Sequence, residues 1–196
     1  MSTVYFTSDL HFGHSMIAEI RGYSSIDDHD AELVESITST LSKGGQLWIL
    51  GDLSSGGSRS EARALEILEV LSRGYELHLI AGNHDSCHSM HRDAHKHQRR
   101  FLDVFSSVQT FARRKVAGRN VMLSHFPYVG DHTDVDRAEA YRLRDEGMWL
   151  LHGHTHQAEP LTEPHSRQLH VGWDTWKRPV SLEEIAAVIV TEEERP

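Results

Sequence analysis

The chain has 196 residues, 38% hydrophobic and 25% charged, with 20 Lys and Arg against 29 Asp and Glu for a formal charge of −9. That composition predicts one globular domain, residues 1–196, and argues against both a disordered chain and a broad non-specific nucleic-acid binder, which needs net positive charge. The longest apolar run, Ile185 to Val190, is too short for a bilayer, and one cysteine, Cys87, allows neither an internal disulfide nor a thiolate-rich zinc site.

Short apolar strands alternate with amphipathic helices. Val4 to Ser8 reads as the first strand and Ser15 to Arg21 as a short helix. A longer helix is predicted from about Asp28 to Leu41, with Leu33, Val34, Ile37 and Leu41 on one face and acidic residues in its first turn. Gly44-Gly45 ends it and leads into the buried strand Leu47 to Leu50. After a Ser/Gly loop, Arg59 to Leu71 is predicted helical, stopping at Arg73-Gly74. A strand from Leu77 follows, then a basic helical stretch from Ser89 to Leu102. Ser107 to Val116 and Asn120 to Ser124 flank Ala117-Gly118-Arg119 as a hairpin. A long polar loop precedes a helix around Arg137 to Asp145, and Trp149 to His152 and Gln168 to Gly172 are the last clear strands. Ser181 to Glu184 matches a capping box opening a final helix, and the pattern leaves open whether Ile185 to Val190 continues it or forms an edge strand. No secretory signal is visible, since Asp9 interrupts the first apolar run and the first basic residue is Arg21, so a cytoplasmic location is expected.

The polar residues at the strand ends carry the functional information. Leu47-Trp48-Ile49-Leu50 stops at Gly51 and presents Asp52. The first strand runs into Asp9 and His11, that at Leu77 into Asn83, His84 and Asp85, that at Val121 into His125, and that at Trp149 into His154 and His156. Open α/β sheets bind ligands at the carboxyl ends of their strands. Five such ends carrying Asp, His and Asn, in a chain with 16 histidines, predict one shared site whose donor types suit a metal.

Asp9-Leu10-His11, Gly51-Asp52, Gly82-Asn83-His84-Asp85, His125 and Gly153-His154-Thr155-His156 together resemble the signature blocks of the calcineurin-like metallophosphoesterases, in the family's order. Pro179 to Ile185 also looks like the tail of its compact bacterial and phage members. The resemblance implies a four-layer α/β sandwich with two mixed sheets flanked by helices. It implies two divalent ions, one held by Asp9, His11, Asp52 and His156, the other by Asp52, Asn83, His125 and His154, with Asp52 bridging. Manganese, iron, cobalt, nickel or zinc suits those donors, manganese being favoured. The implied reaction is hydrolysis of a phosphate ester by hydroxide activated between the two metals. His84 is then the proton donor to the leaving oxygen, and Asp85 the partner of its other ring nitrogen.

Within this class the favoured expectation is a phosphodiesterase on small nucleotides, cyclic ones included, without a membrane or long nucleic acid as partner. A phosphomonoesterase or protein phosphatase is the alternative, and a non-catalytic scaffold on the same fold is the rival from another class. His84, His88, His91 and His95 fall at helical spacing beside Arg92, Lys96, Arg99 and Arg100, so this segment is expected to overhang the site and attract a phosphate anion. His14 either helps position substrate or simply sits near a helix start, and His152 is a candidate supporting group. Asp131, His132, Asp134 and Asp136 read as a solvated acidic loop in preference to a third metal site, and His29, His78, His165 and His170 are left without a role.

Overall fold

Alternation along the strands decides which way each side chain points, and it divides the apolar residues between two cores. The computed structural model describes residues 3–133, 135–161 and 166–195, so Asp134 and His165 lie outside the described residues. In strand β2 (Gln46–Ile49), Leu47 and Ile49 join one core while Trp48, with Leu50 just beyond, joins the other. Strands β1 (Val4–Thr7) and β3 (Glu76–Ile80) divide likewise, Tyr5, Leu77 and Leu79 against Phe6 and Ile80. After the short helix α1 (Ser15–Ile20), the outer core is completed by Leu33 and Ile37 of helix α2 (Ile26–Thr40), Leu65, Leu68 and Leu71 of α3 (Ser58–Ser72) and Phe101 of α4 (Ala94–Leu102).

The inner core lies between two sheets. The first has the order β4-β3-β2-β1-β9, with β4 (Ser107–Gln109) parallel to β3 and β9 (Val180–Ser181) antiparallel to β1. The second has the order β5-β6-β7-β8, where β6 (Arg119–Ser124), β7 (Trp149–His152) and β8 (Gln168–His170) are parallel and β5 (Phe111–Val116) is antiparallel. Val121, Leu123, Leu151 and Leu169 meet Phe6, Trp48 and Ile80, and, after the one-turn α5 (Trp173–Trp176), helix α6 (Leu182–Glu193) adds Ile185 and Ile189. This is the expected α/β arrangement of two mixed sheets flanked by helices. Its parallel strands bring the carboxyl ends of β1, β2 and β3, and of β6 and β7, to shared sheet edges, and the polar residues follow those ends.

Several boundaries differ from expectation for identifiable reasons. Ser107 to Val116 is not one strand: Ser107–Gln109 pairs with β3, Phe111–Val116 pairs with β6, and the chain changes sheet at Thr110. The hairpin turns on Ala117 and Gly118, both at positive φ as a two-residue type I′ turn requires. The basic segment becomes helical only at Ala94, because successive four-residue turns (His88 N–H to Asp85, His91 N–H to His88 and Ala94 N–H to His91) occupy the preceding stretch. His84, His88, His91 and His95 therefore do not share a helix face. The helix expected near Arg137 to Asp145 shrinks to a 3-10 turn at Glu139–Tyr141, with Arg137 and Arg142 drawn instead to Asp131 and Asp136.

Ile185 to Val190 continues α6. Its start is a complete capping box: Ser181 Oγ accepts the Glu184 N–H at 3.2 Å, and the Glu184 carboxylate accepts the Ser181 N–H at 3.0 Å. Hydrogen bonds from the Arg178 guanidinium bring the Glu184 pKa down to about 2. Ser181→Ala should cost about 1 kcal/mol and lower the melting temperature by about 2–4 °C. The contribution of ionised Glu184 is present above its ordinary pKa of 4.5 and should be lost as pH falls towards 2, measurable as a shrinking difference in melting temperature between the parent and Glu184→Gln.

Candidate metal centre

The ends of β1 and β2 are zipped together beyond the sheet. Asp9 N–H donates to the Gly51 carbonyl at 3.0 Å, His11 N–H to Asp52 at 3.1 Å, and Phe12 N–H to Leu53 at 2.8 Å. This pairing holds Asp9, His11 and Asp52 at φ values of 56°, 53° and 54°, and across the cavity His154 and His156 lie at 69° and 50°. Non-glycine residues seldom occupy this left-handed region, although Asp and His tolerate it better than most. Two glycines permit the close approach. A Cβ on Gly82 would lie 2.3 Å from Asp52 Oδ1, and one on Gly153 would lie 1.8 Å from Ser8 Oγ and 2.6 Å from Asp9 Oδ2.

The seven residues expected to hold metal converge on one cavity. Asp9, His11 and His156 place ligand atoms within 4.8 Å of one another, as do Asp52, His125 and His154. Asp52 Oδ2 stands between the sets, 4.0 Å from His11 Nε2 and 3.5 Å from His125 Nε2. Asn83 Oδ1 lies 3.0 Å from His125 Nε2. All but Asn83 and His156 are nearly or wholly buried.

Hydrogen bonds on the far side of three rings set their tautomers. His125 Nδ1 donates to the Leu50 carbonyl at 2.7 Å, His156 Nδ1 to Asp174 Oδ2 at 2.7 Å, and His11 Nδ1 to the Ser54 carbonyl at 3.2 Å. Because those oxygens only accept, each ring is protonated on Nδ1, and its Nε2 offers a lone pair to the cavity once the ring is neutral. The Nε2 atoms of His11 and His156 face each other at 3.3 Å. Two neutral imidazole lone pairs at that distance repel unless a proton or a cation lies between them, so the donor set fits divalent metal.

Electrostatics point the same way. Burial pushes His11 down to about 3 and His154 to about 4, keeping both imidazoles neutral. Burial also disfavours charge on His125, but the Asp52 carboxylate outweighs it and carries that pKa up to about 9. Burial alone would raise Asp9 and Asp52; His156 beside the first and His125 beside the second hold both below the ordinary carboxylate range.

His84 lies at the open side of the cavity. Its backbone N–H donates to Asp52 Oδ1 at 2.9 Å, its Nε2 is 3.9 Å from Asp52 Oδ2, and its side chain is 38% exposed. Asp85 does not support the His84 ring as expected. Its carboxylate accepts the N–H groups of Gly82 at 2.7 Å and of Asp52 and Leu53 at 3.0 Å, and so braces the two loops. Burial, then the Asp52 charge, raises the Asp85 pKa to about 7.

The basic segment is also reassigned. His91, Asp93 and His97 line a 390 Å³ cleft with His84, Asn83, Ser55, Gly56, Gly57 and Ser86. Its arginines, however, are paired: Arg100 with Glu61 at 3.0 Å and Arg99 with Asp103 at 3.4 Å. Glu61, 3% exposed, also accepts from the Ser86 N–H and hydroxyl, so Arg100 anchors the loop after Asn83 instead of overhanging the cavity as a free cation. Asp131, expected in solvent, has a side chain 1% exposed and lies 3.3 Å from His154 Nε2.

Sequence reading missed two groups. Arg21 donates to the Asp9 carbonyl at 2.7 Å and the Leu10 carbonyl at 3.2 Å while pairing with Asp174, which in turn holds His156. Asp174 had a signal: Val171-Gly172-Trp173-Asp174 follows β8 as Gly51-Asp52 follows β2. His29 pairs with Asp30, His78 stacks on Trp48, His14 and His170 lie beside His11 and Asp9, and His152 is buried against His170. Burial raises the Cys87 thiol pKa well above its usual range.

The family model of the calcineurin-like phosphoesterase superfamily domain matches residues 3–193. The chain is 47% identical over 194 residues to the Gene 66 protein of Mycobacterium phage L5, covering 94% of this chain and 93% of that one. It is 46% identical over 197 residues to the Gene 66 protein of Mycobacterium phage D29, with 96% of each covered. Among solved structures it is similar to the protein of unknown function AQ665 from Aquifex aeolicus, with a TM-score of 0.70 and 22% identity over 96% of this chain and all of the other.

Asp52→Asn should empty both positions, because the shared group loses its charge. Metal analysis after dialysis against manganese should then give well under one ion per chain, against two for the parent. Loading the metal-free protein at pH 7 should release protons, since His125 must give one up, and affinity should fall as pH drops below neutrality. Manganese titrations at pH 6 and pH 8, with proton release followed in weak buffer, check both signs.

Proposed function

Since the chain belongs to the calcineurin-like phosphoesterase superfamily, we propose that it is a metal-dependent phosphodiesterase acting on small nucleotides, cyclic ones included, with manganese as the preferred metal. The convergence of Asp9, His11, Asp52, Asn83, His125, His154 and His156 on one cavity carries this reading. Divalent metal held by these residues would supply Lewis-acid activation of water and charge neutralisation at the phosphoryl oxygens. The protein's own residues do the rest. Asp52, fixed by the His84 N–H, keeps the two ligand sets in register. His84, on the exposed side of Asp52, is placed to donate a proton to the departing oxygen from outside the ligand cage.

Substrate size follows from the surroundings of His84. The 390 Å³ cleft on its open side is at the lower end of the range for small-molecule sites, about 300–1,000 Å³, and suits the leaving group of a small ester better than a folded protein or a duplex. The formal charge of −9 likewise disfavours a polyanionic polymer. No helix among the described residues is long and apolar enough to cross a membrane.

With added manganese, bis-p-nitrophenyl phosphate should be hydrolysed and p-nitrophenyl phosphate should not. Preference for the monoester would replace the diester reading with a phosphomonoesterase, and inactivity on both, with cyclic nucleotides also untouched, would favour a scaffold. His84→Ala should retain both metals while kcat falls by about 100- to 10,000-fold, as measured by metal analysis and steady-state kinetics on the same preparation.

A further inference from the structure

Three of the four cavity histidines have an acceptor behind the ring that sets the tautomer: Leu50 for His125, Asp174 for His156 and Ser54 for His11. Among the described residues, no hydrogen-bond acceptor is paired with the His154 ring. Its backbone N–H is spent on Asp9, and the ring packs against the rings of His125, Phe126 and His132. Among the described residues its Nε2 is buried without a hydrogen-bond partner, and Asp131 Oδ1, itself 3.0 Å from His132 Nδ1, lies 3.3 Å from it.

We propose that Asp131 is a positioning residue for the metal centre: its carboxylate takes the Nε2–H of His154 and so leaves Nδ1 of that ring as its free ligand atom. A carboxylate only accepts, so this contact selects the Nε2–H tautomer of a neutral imidazole. His154 is then oriented oppositely to the other three rings, which donate from Nδ1.

Asp131 is itself immobilised. Oδ1 accepts the His132 N–H at 2.7 Å and Arg137 Nη2 at 3.2 Å, and Oδ2 accepts the Arg137 N–H at 3.1 Å. It lies six residues after His125, so one loop supplies a ligand and the support of a second. The charge also suits its place. The set around Asp9 contains Asp9 and Asp52, whereas the set around His125 has Asp52 and the neutral Asn83. A carboxylate behind His154 makes that ring a stronger donor where carboxylates are fewer.

The proposal rests on the two-cation centre of the preceding reading but not on catalysis, so metal binding and ring protonation test it apart from turnover. Manganese titration of the full-length, metal-stripped protein should show two ions per chain. In Asp131→Ala one ion should keep the parental affinity and the other weaken by about 10- to 100-fold. Asp131→Asn, whose amide oxygen still accepts the proton, should recover most of that loss. Parental affinity for both ions in Asp131→Ala would overturn the assignment, as would equal impairment in the Ala and Asn variants. A third ion in the parent that is lost from Asp131→Ala would overturn it too, making Asp131 and His132 direct ligands. Nitrogen-15 imidazole spectra of the parent need no variant: His154 should be protonated on Nε2 in the metal-free protein, and protonation on Nδ1 alone would refute the contact even if no metal binds.

Discussion

Asp52 is the group on which the rest of the structure depends. Its side chain is 3% exposed, and a carboxylate in that position is tolerable only with compensating charge and hydrogen bonds. It has the His84 N–H at 2.9 Å and imidazole nitrogens of His11, His84 and His125 within 4.0 Å. Those rings come from three chain segments, so the site's geometry follows from satisfying one buried anion. Two cations would complete that compensation better than protons, since each could be shared with the lone pairs that now face one another.

Bringing the ligands together loads the backbone. Asp9, His11, Asp52, His154 and His156 all adopt left-handed conformations. Each such residue costs on the order of 1–3 kcal/mol, less for Asp and His than for branched side chains. The strain persists because neighbouring bonds over-determine it: the paired loops after β1 and β2, the Asp85 carboxylate capping three N–H groups, and Arg21 on the Asp9 and Leu10 carbonyls. These contacts are paid for by the two apolar cores beneath, which hold the strand ends rigid.

The supporting residues share one logic. Asp174, Asp85, Glu61 and Asp131 each hold a loop or a ring, and three of them are tied by arginines: Arg21, Arg100 and Arg137. Arginine suits such places because its planar fork bonds a carboxylate and backbone carbonyls together. This also explains why the basic segment after Asn83 is not a free anion trap. Its Arg100 is committed to Glu61, and the cleft beside His84 is lined by imidazoles, hydroxyls, glycine backbone, the Asn83 amide and the Asp93 carboxylate.

By itself the sequence determined the alternation of strands and helices, the capping box at Ser181 and the polar residues at five strand ends, because each is a local pattern: an apolar period, a capping spacing, a glycine followed by a carboxylate. The choice of seven of them as ligands came from the family resemblance. It could not determine where Ser107 to Val116 changes sheet, since a period of two is the same whichever strand is the partner. Nor could it show that Asp85 turns to backbone amides, that Arg100 is neutralised, or that Arg21, Asp131 and Asp174 stand behind Asp9, His154 and His156. Those pairings join residues that are neighbours only after the two sheets close on one another, and charge compensation in a buried site is settled by what arrives from elsewhere in the chain.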